Sequence, residues 1–252
     1  MPAMGLHTVW PHIISHMETN HVNLVLSGPH VLKLCREEAI VAMEENLKVL
    51  RQQVAEAANQ VSLFSSDCQK LFCSGFPQGA HILLLPEDAV HGSGYSRQTL
   101  EPFLELVPAE ADGSQPCFDD GDHDNFLLRE LSCLAHNHQI YLAAQMASRT
   151  PGCEHCGEEH GEGCFFNTLV VLDSDGVLVG VYHKYNLWTS ELNTFDIDPS
   201  GPQIVTVDTP FGRLGLSVCA DLIWRSPVVD LADLAEVDTL LVPLYWWAAS
   251  IC

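Results

Sequence analysis

Between residues 36 and 60 the apolar side chains Ile40, Met43, Leu47, Leu50, Val54 and Ala57 recur at steps of three and four, with Glu, Lys, Arg and Gln filling the intervals. Apolar positions at that spacing share one stripe of an α-helix, so this segment is an amphipathic helix that must find a surface to cover. Downstream sequence supplies one. Residues 81–85 form a short apolar run stopped by Pro86, which lacks the N–H a sheet ladder needs. A buried strand therefore ends there, with Glu87 at its carboxyl end. A second stripe, Leu127, Leu128, Leu131, Leu134 and Ala135, predicts a helix over 125–137, and 139–144 reads as the strand behind it. Alternating helix and strand patterns point to an α/β layered fold.

Two β-rich runs, 168–173 and 177–182, flank Ser174-Asp175-Gly176, a hairpin signature, and Lys184 lies just past the second. Another pair, 203–207 and 213–218, flanks Thr209-Pro210-Phe211-Gly212, and Cys219 ends its second strand. A helix near 227–234 and a strand over 239–242 complete the readable part. The chain holds no repeat and no low-complexity tract. One stretch, 61–78, reads as an intrusion because it separates the first helix from the strand it should feed. Every valine codon begins GT and a glutamine codon can end CAG, so an in-frame retained intron would be bounded as this stretch is, by Val61 and Gln78.

Composition narrows the partners. At 252 residues with 47% apolar content the chain has ample material for a globular core. Its 33 acidic and 11 basic residues leave a formal charge of -22, which repels phosphate backbones and anionic lipid surfaces. Nucleic acid is thereby excluded as a partner, and no uninterrupted apolar stretch approaches the length of a bilayer span. The first dozen residues lack the basic and apolar regions of a signal peptide. Ten cysteines, however, are a load more usual in an oxidising compartment.

The three strand ends deliver a carboxylate, an amine and a thiol. Amide hydrolysis needs a nucleophile, a base to take its proton, and a cation or hydrogen-bond donor to hold the oxyanion. Glu87, Lys184 and Cys219 supply one of each, and the backbone N–H of Ala220 could join the ammonium on the oxyanion. Singly each has a plainer explanation: a buried cysteine is usually a small hydrophobe, and a lysine or glutamate past a strand usually faces water. Cys153, Cys156, His160 and Cys164 have the composition of a zinc site, but a single Cys-x-x-Cys and short spacings argue against one. The acidic stretch 119–124 lacks the grammar of a calcium loop and reads as solvated.

Taken together and in order, these residues resemble the nitrilase or carbon–nitrogen hydrolase superfamily, and more closely its vanin (pantetheinase) and biotinidase branch. The likeness rests on Ala57-Ala58-Asn59-Gln60, Gly79-Ala80-His81-Ile82, Pro86-Glu87-Asp88-Ala89, Leu131-Ser132-Cys133-Leu134-Ala135, Phe166-Asn167-Thr168, Tyr182-His183-Lys184 and Asp208-Thr209-Pro210-Phe211-Gly212. It implies a four-layer αββα sandwich, here partial, with residues 1–34 a divergent amino-terminal segment and 35–252 a truncated hydrolase domain. By the same resemblance Glu87 is the general base, Lys184 the oxyanion cation, Cys219 the nucleophile, Glu191 a second carboxylate orienting the lysine, and Trp246 a pocket wall. It also implies a disulfide among Cys153, Cys156 and Cys164, no cofactor or metal, and an extracellular or membrane-anchored site of action. The implied substrate is a small vitamin-derived linear amide such as pantetheine or a biotin amide. An inactive fragment and a non-catalytic binding module are the competing expectations. Two departures stand out: the aromatic that usually follows the nucleophile is Ala220, and Leu244-Tyr245-Trp246-Trp247 replaces a small-residue turn.

Overall fold

The structure, a computed structural model, describes residues 34–59, 80–119, 125–150 and 163–245, together with the backbone of 13–14. The first amphipathic stripe forms α1 (Arg36–Asn59). Met43, Leu47, Leu50 and Val54 are fully buried along it, while the charged positions between them face water, as in the ion pair Lys48–Glu45. The second stripe forms α3 (Phe126–His138), after a short α2 (Arg97–Leu100). Arg51 on α1 reaches Glu130 on α3 at 2.6 Å, so the two helices lie side by side. Gln139, with φ 51°, closes α3 in the left-handed region and turns the chain into the next strand.

The first sheet contains β1 (Ile13–Ile14), β2 (Ile82–Leu84), β3 (Glu105–Leu106), β4 (Tyr141–Thr150), β5 (Cys164–Leu172) and β6 (Leu178–His183). Its order is β1-β2-β4-β5-β6, with β3 also paired to β4. The β1–β2, β2–β4 and β3–β4 pairs are parallel; β4, β5 and β6 run antiparallel. β4 is longer than the sequence pattern suggests, ten residues in place of a run ending at 144, because its register with β5 continues from Leu142↔Leu172 to Thr150↔Cys164. That extension carries polar Gln145, Ser148 and Arg149, which hide a strand from an apolar count.

The second sheet is β7 (Thr206–Thr209), β8 (Gly212–Leu216) and β9 (Thr239–Leu241), with α4 (Val228–Leu234) beside it. Side-chain alternation explains how the layers stack. Leu83, Leu142, Ala144, Val170, Leu172 and Val181 join the helices in one core, whereas Ile82, Ala143, Leu169, Val171 and Tyr182 join Val207, Leu214 and Leu216 in another. β5 is consequently buried at every position, one face under helices and the other under the second sheet. Gly180 permits the sheets to close: a Cβ there would lie 2.7 Å from Val207 Cγ2 and 3.0 Å from Leu216 Cδ1. On the far side of β8, α4 buries Leu231. The layer order is α, β, β, α, the α/β sandwich the sequence led us to expect.

Two cross-links were not anticipated. Cys117 and Cys133 form a disulfide that pins the short helical turn Pro116–Phe118 to α3. Glu105, with no exposed side-chain surface, accepts from Arg36 Nη2 at 2.6 Å and from the Leu127 and Leu128 amides at 2.9 and 3.3 Å, so it caps α3 and anchors α1. Burial, only partly offset by Arg36 and those amides, pushes its carboxyl up to about 7. The stretch 61–78, the cysteines at 153 and 156, and most of 119–124 lie outside the described residues. No described helix is long and apolar enough to cross a membrane.

Candidate active site

All three strand ends open at one edge of the sandwich. Leu85 still bonds Ala143 O before Pro86 breaks the ladder, and Glu87 turns inward with only 5% of its surface exposed. The chain then bends at Asp88, φ 61°, held by its N–H donating to Gln145 Oε1 at 2.7 Å. Three strands away, the Lys184 amide bonds Asn167 O at 2.8 Å as β6 ends, which points the lysine side chain back into the sheet edge, 2% exposed. A lysine past a strand normally reaches water; this one does not.

Its ammonium is held by two carboxylates, donating to Glu87 Oε1 at 2.8 Å and to Glu191 Oε2 at 2.7 Å. Asn167 Nδ2 donates to both as well, at 3.0 Å to Glu87 and 2.8 Å to Glu191. The loop carrying Glu191 is closed by the Trp188 amide, 2.6 Å from Glu191 Oε2, and the Tyr245 amide donates to Glu87 Oε2 at 3.2 Å. Burial alone would lower the Lys184 pKa, but Glu87 and Glu191 outweigh it and hold the group above its ordinary value. The lysine is thus a fixed cation with one N–H beyond the two it gives to carboxylates.

Cys219 sits on a different device. It lies three residues past the end of β8 and opens the tight turn Cys219–Ile223 with φ 43°, a left-handed conformation that costs energy for a residue with a Cβ. The surroundings hold it there. Cys219 N donates to Pro243 O at 3.0 Å, and fully buried Asp221 accepts from Val218 N, Tyr182 Oη, Asn186 N and Asn186 Nδ2, all within 2.9 Å. Asp221 thereby fastens the cysteine turn to the segment following Lys184. Burial, together with the charge of the nearby Glu87 carboxylate, pushes the thiol pKa up to about 12, against the opposing pull of Lys184 and the Tyr245 amide.

Glu87, Lys184, Glu191, Cys219 and Ala220 all line one cavity of about 460 Å³. The same cavity is lined by Asp88, His91 and Tyr95 of the loop after Glu87 and by apolar Leu100 and Phe195. The geometry gathers a thiol, a carboxylate and a cation bonded to that carboxylate around space large enough for a small molecule. Trp246 lies outside the described residues; its neighbour Tyr245 reaches the site through its backbone. Cys164 is disulfide-bonded and so is not a free thiolate ligand. Sequence reasoning missed the roles of Asn167 and Asp221, although each is a short polar side chain inside an otherwise apolar stretch, a signal that could have flagged both.

Comparison with known proteins identifies the family. The carbon–nitrogen hydrolase family matches residues 40–248, and this chain belongs to that family. It is 35% identical to the pantetheinase of Mus musculus over 228 residues, covering 88% of this chain and 40% of that protein. It is 36% identical to the biotinidase of Takifugu rubripes over 235 residues, 89% of this chain and 41% of that one. The chain thus spans about two fifths of the length of these relatives. Among solved structures, Nit3 of Saccharomyces cerevisiae, a member of branch 10 of the nitrilase superfamily, superposes with TM-score 0.54 at 18% identity, covering 81% of this chain and 59% of that one. That likeness supports the fold.

Proposed function

We propose that the chain hydrolyses a linear carbon–nitrogen amide bond through a thioester on Cys219. The observation that carries this reading is that the Cys219 thiol, the Glu87 carboxylate and the Lys184 ammonium line one cavity, with Lys184 Nζ 2.8 Å from Glu87 Oε1. A thiol whose pKa stands near 12 holds almost no thiolate at neutral pH, so its proton has to leave as the sulfur attacks. Glu87 takes that proton while the S–C bond forms and the carbonyl π electrons move onto oxygen. The remaining N–H of Lys184 stabilises the oxyanion. Collapse breaks the C–N bond, and the proton on Glu87 passes to the departing amine. Water, deprotonated by the same carboxylate, then attacks the thioester; the acid leaves and the thiolate recovers its proton. Glu191 and Asn167 keep Lys184 and Glu87 in place throughout.

The names of the relatives suggest the substrate class, an amide of a small vitamin-derived acid such as pantetheine or a biotin amide, and an extracellular setting accords with that class. Incubating the purified chain with pantetheine and with an amide of biotin and 4-aminobenzoate is the direct assay. We expect release of the amine, reduced at least about 10⁴-fold in Cys219→Ala. Equal rates in the two proteins, or no cleavage of either amide, would refute the proposal.

A further inference from the structure

Glu191 differs from its partners in what carries it. Glu87 and Lys184 leave strand ends and Asn167 lies within β5, whereas Glu191 stands on the long connection between β6 and β7, residues 184–205, which forms neither helix nor strand. A carboxylate on such a loop keeps its place only through the bonds that anchor the loop. The backbone around Glu191 is a single tight turn: its carbonyl accepts from the Thr194 amide at 2.8 Å and the Phe195 amide at 2.9 Å. Whatever fixes Thr194 and Asp196 therefore fixes Glu191.

Arg97, the first residue of α2, does so from the loop that follows Glu87. Its Nη1 lies 3.0 Å from Asp196 Oδ2 and donates to Thr194 O at 3.4 Å, while Nη2 donates to Gly163 O at 3.3 Å. The guanidinium plane rests on the Phe165 ring, 3.9 Å from its centroid. Asp196 is itself joined to the start of β5: its amide donates to Phe165 O at 2.7 Å, and Phe165 N donates to its Oδ2 at 2.8 Å. Beside this, the Thr194 hydroxyl donates to Tyr95 O at 2.8 Å, two residues before the arginine. With side chains only 17% and 19% exposed, the Arg97–Asp196 pair is largely sheltered from the solvent that weakens surface ion pairs. One planar fork thus gathers three segments, and a lysine in its place has no such span.

We infer that Arg97 is a positioning residue for the active site: it anchors the turn that carries Glu191 and, through Glu191, sets where the Lys184 ammonium stands. The path is continuous on the page, from Arg97 to Thr194 and Asp196, through the turn to the Glu191 carbonyl, and from the Glu191 carboxylate to Lys184 Nζ at 2.7 Å. The inference rests on the amidase reading only for its effect on turnover. The placement of the ammonium is measured with no substrate present.

The chain is labelled with nitrogen-15 at lysine Nζ, and Lys184 is identified as the slowly exchanging ammonium signal that Lys184→Arg removes. Arg97→Met and Glu191→Gln should each speed its proton exchange about tenfold, and the double variant should lie within about twofold of either single one, since both cut the same path. Arg97→Lys should fall between Arg97→Met and the parent. Several results would overturn the inference: no protected signal in the parent, exchange in Arg97→Met within twofold of the parent whatever its melting temperature, no effect of Glu191→Gln, or effects that multiply in the double variant. A thermal melt of each variant confirms folding, and Asp196→Asn, which removes the charge that Arg97 grips, provides the same reading if Arg97→Met does not fold. With pantetheine and the biotin amide, Arg97→Met should lower kcat by up to about 10²-fold and leave KM within about twofold, because a displaced cation is missed only in the transition state. Parent-level kcat in Arg97→Met would count against the inference as well. Absence of cleavage by the parent, with the exchange results as expected, removes the amidase alone.

Discussion

The two sheets contribute to the site in opposite ways. The six-stranded sheet brings charge: Glu87 and Lys184 come from its strand ends and Asn167 from within β5, and with Glu191 they are tied by four hydrogen bonds into a cluster that is complete before any substrate arrives. The three-stranded sheet brings the Cys219 thiol, on a backbone bent into the left-handed region and kept there by bonds to Asp221 and Pro243. In the first region the cost is desolvation, offset by opposite charges; in the second it is backbone strain, offset by a polar latch. A preorganised cation and a strained thiol are what an oxyanion-forming attack requires, and each is held by a separate part of the fold.

Three experiments would break or sharpen that contrast. The largest effect belongs to the charge cluster. Lys184→Met leaves Glu87 and Glu191 buried without a counter-charge, and urea unfolding should show a loss of about 3–5 kcal/mol. An unchanged midpoint would mean that water reaches the carboxylates freely. On the nucleophile side, Asp221→Ala strands the Tyr182 hydroxyl and the Val218 and Asn186 amides, and should cost about 3 kcal/mol. Alkylation of Cys219 by iodoacetamide should accelerate at the same time, since the turn is released; a rate equal to that of the parent would detach Asp221 from the thiol.

The third, remote from both regions, concerns pH. Glu105 has its folded pKa raised from an ordinary 4.5 to about 7, so the folded chain binds more protons than the unfolded one between those values. Stability therefore declines as pH rises through about 4.5 to 7 and levels off above, by up to on the order of 3 kcal/mol. Glu105→Gln should flatten that part of the curve. A slope that persists in the variant would assign it to another group.

Much of this was legible in the chain. The stripes of α1 and α3 follow from helical period, and the positions of Glu87, Lys184 and Cys219 follow from where apolar runs stop, because a strand's end is where a side chain can leave the sheet. The bonds that make these residues a site were not legible. Asn167 reaches Glu87 across 80 positions and Tyr245 reaches it across 158, and such separations leave no local periodicity. The same holds for the Arg36–Glu105 anchor and for the Cys117–Cys133 pairing, since spacing alone does not decide which cysteines meet. The left-handed turn at Cys219 was hidden for another reason: nothing in Ser217-Val218-Cys219-Ala220 favours positive φ, and tertiary bonds impose it.

The most direct test of the account is the fate of the acyl group during turnover. Samples quenched in acid and digested should carry the acyl mass on the peptide containing Cys219, and added hydroxylamine should divert product into the hydroxamate in competition with water. An acyl mass on any other side chain, or cleavage with neither adduct nor hydroxamate, would contradict a thioester at the meeting point of Glu87, Lys184 and Cys219.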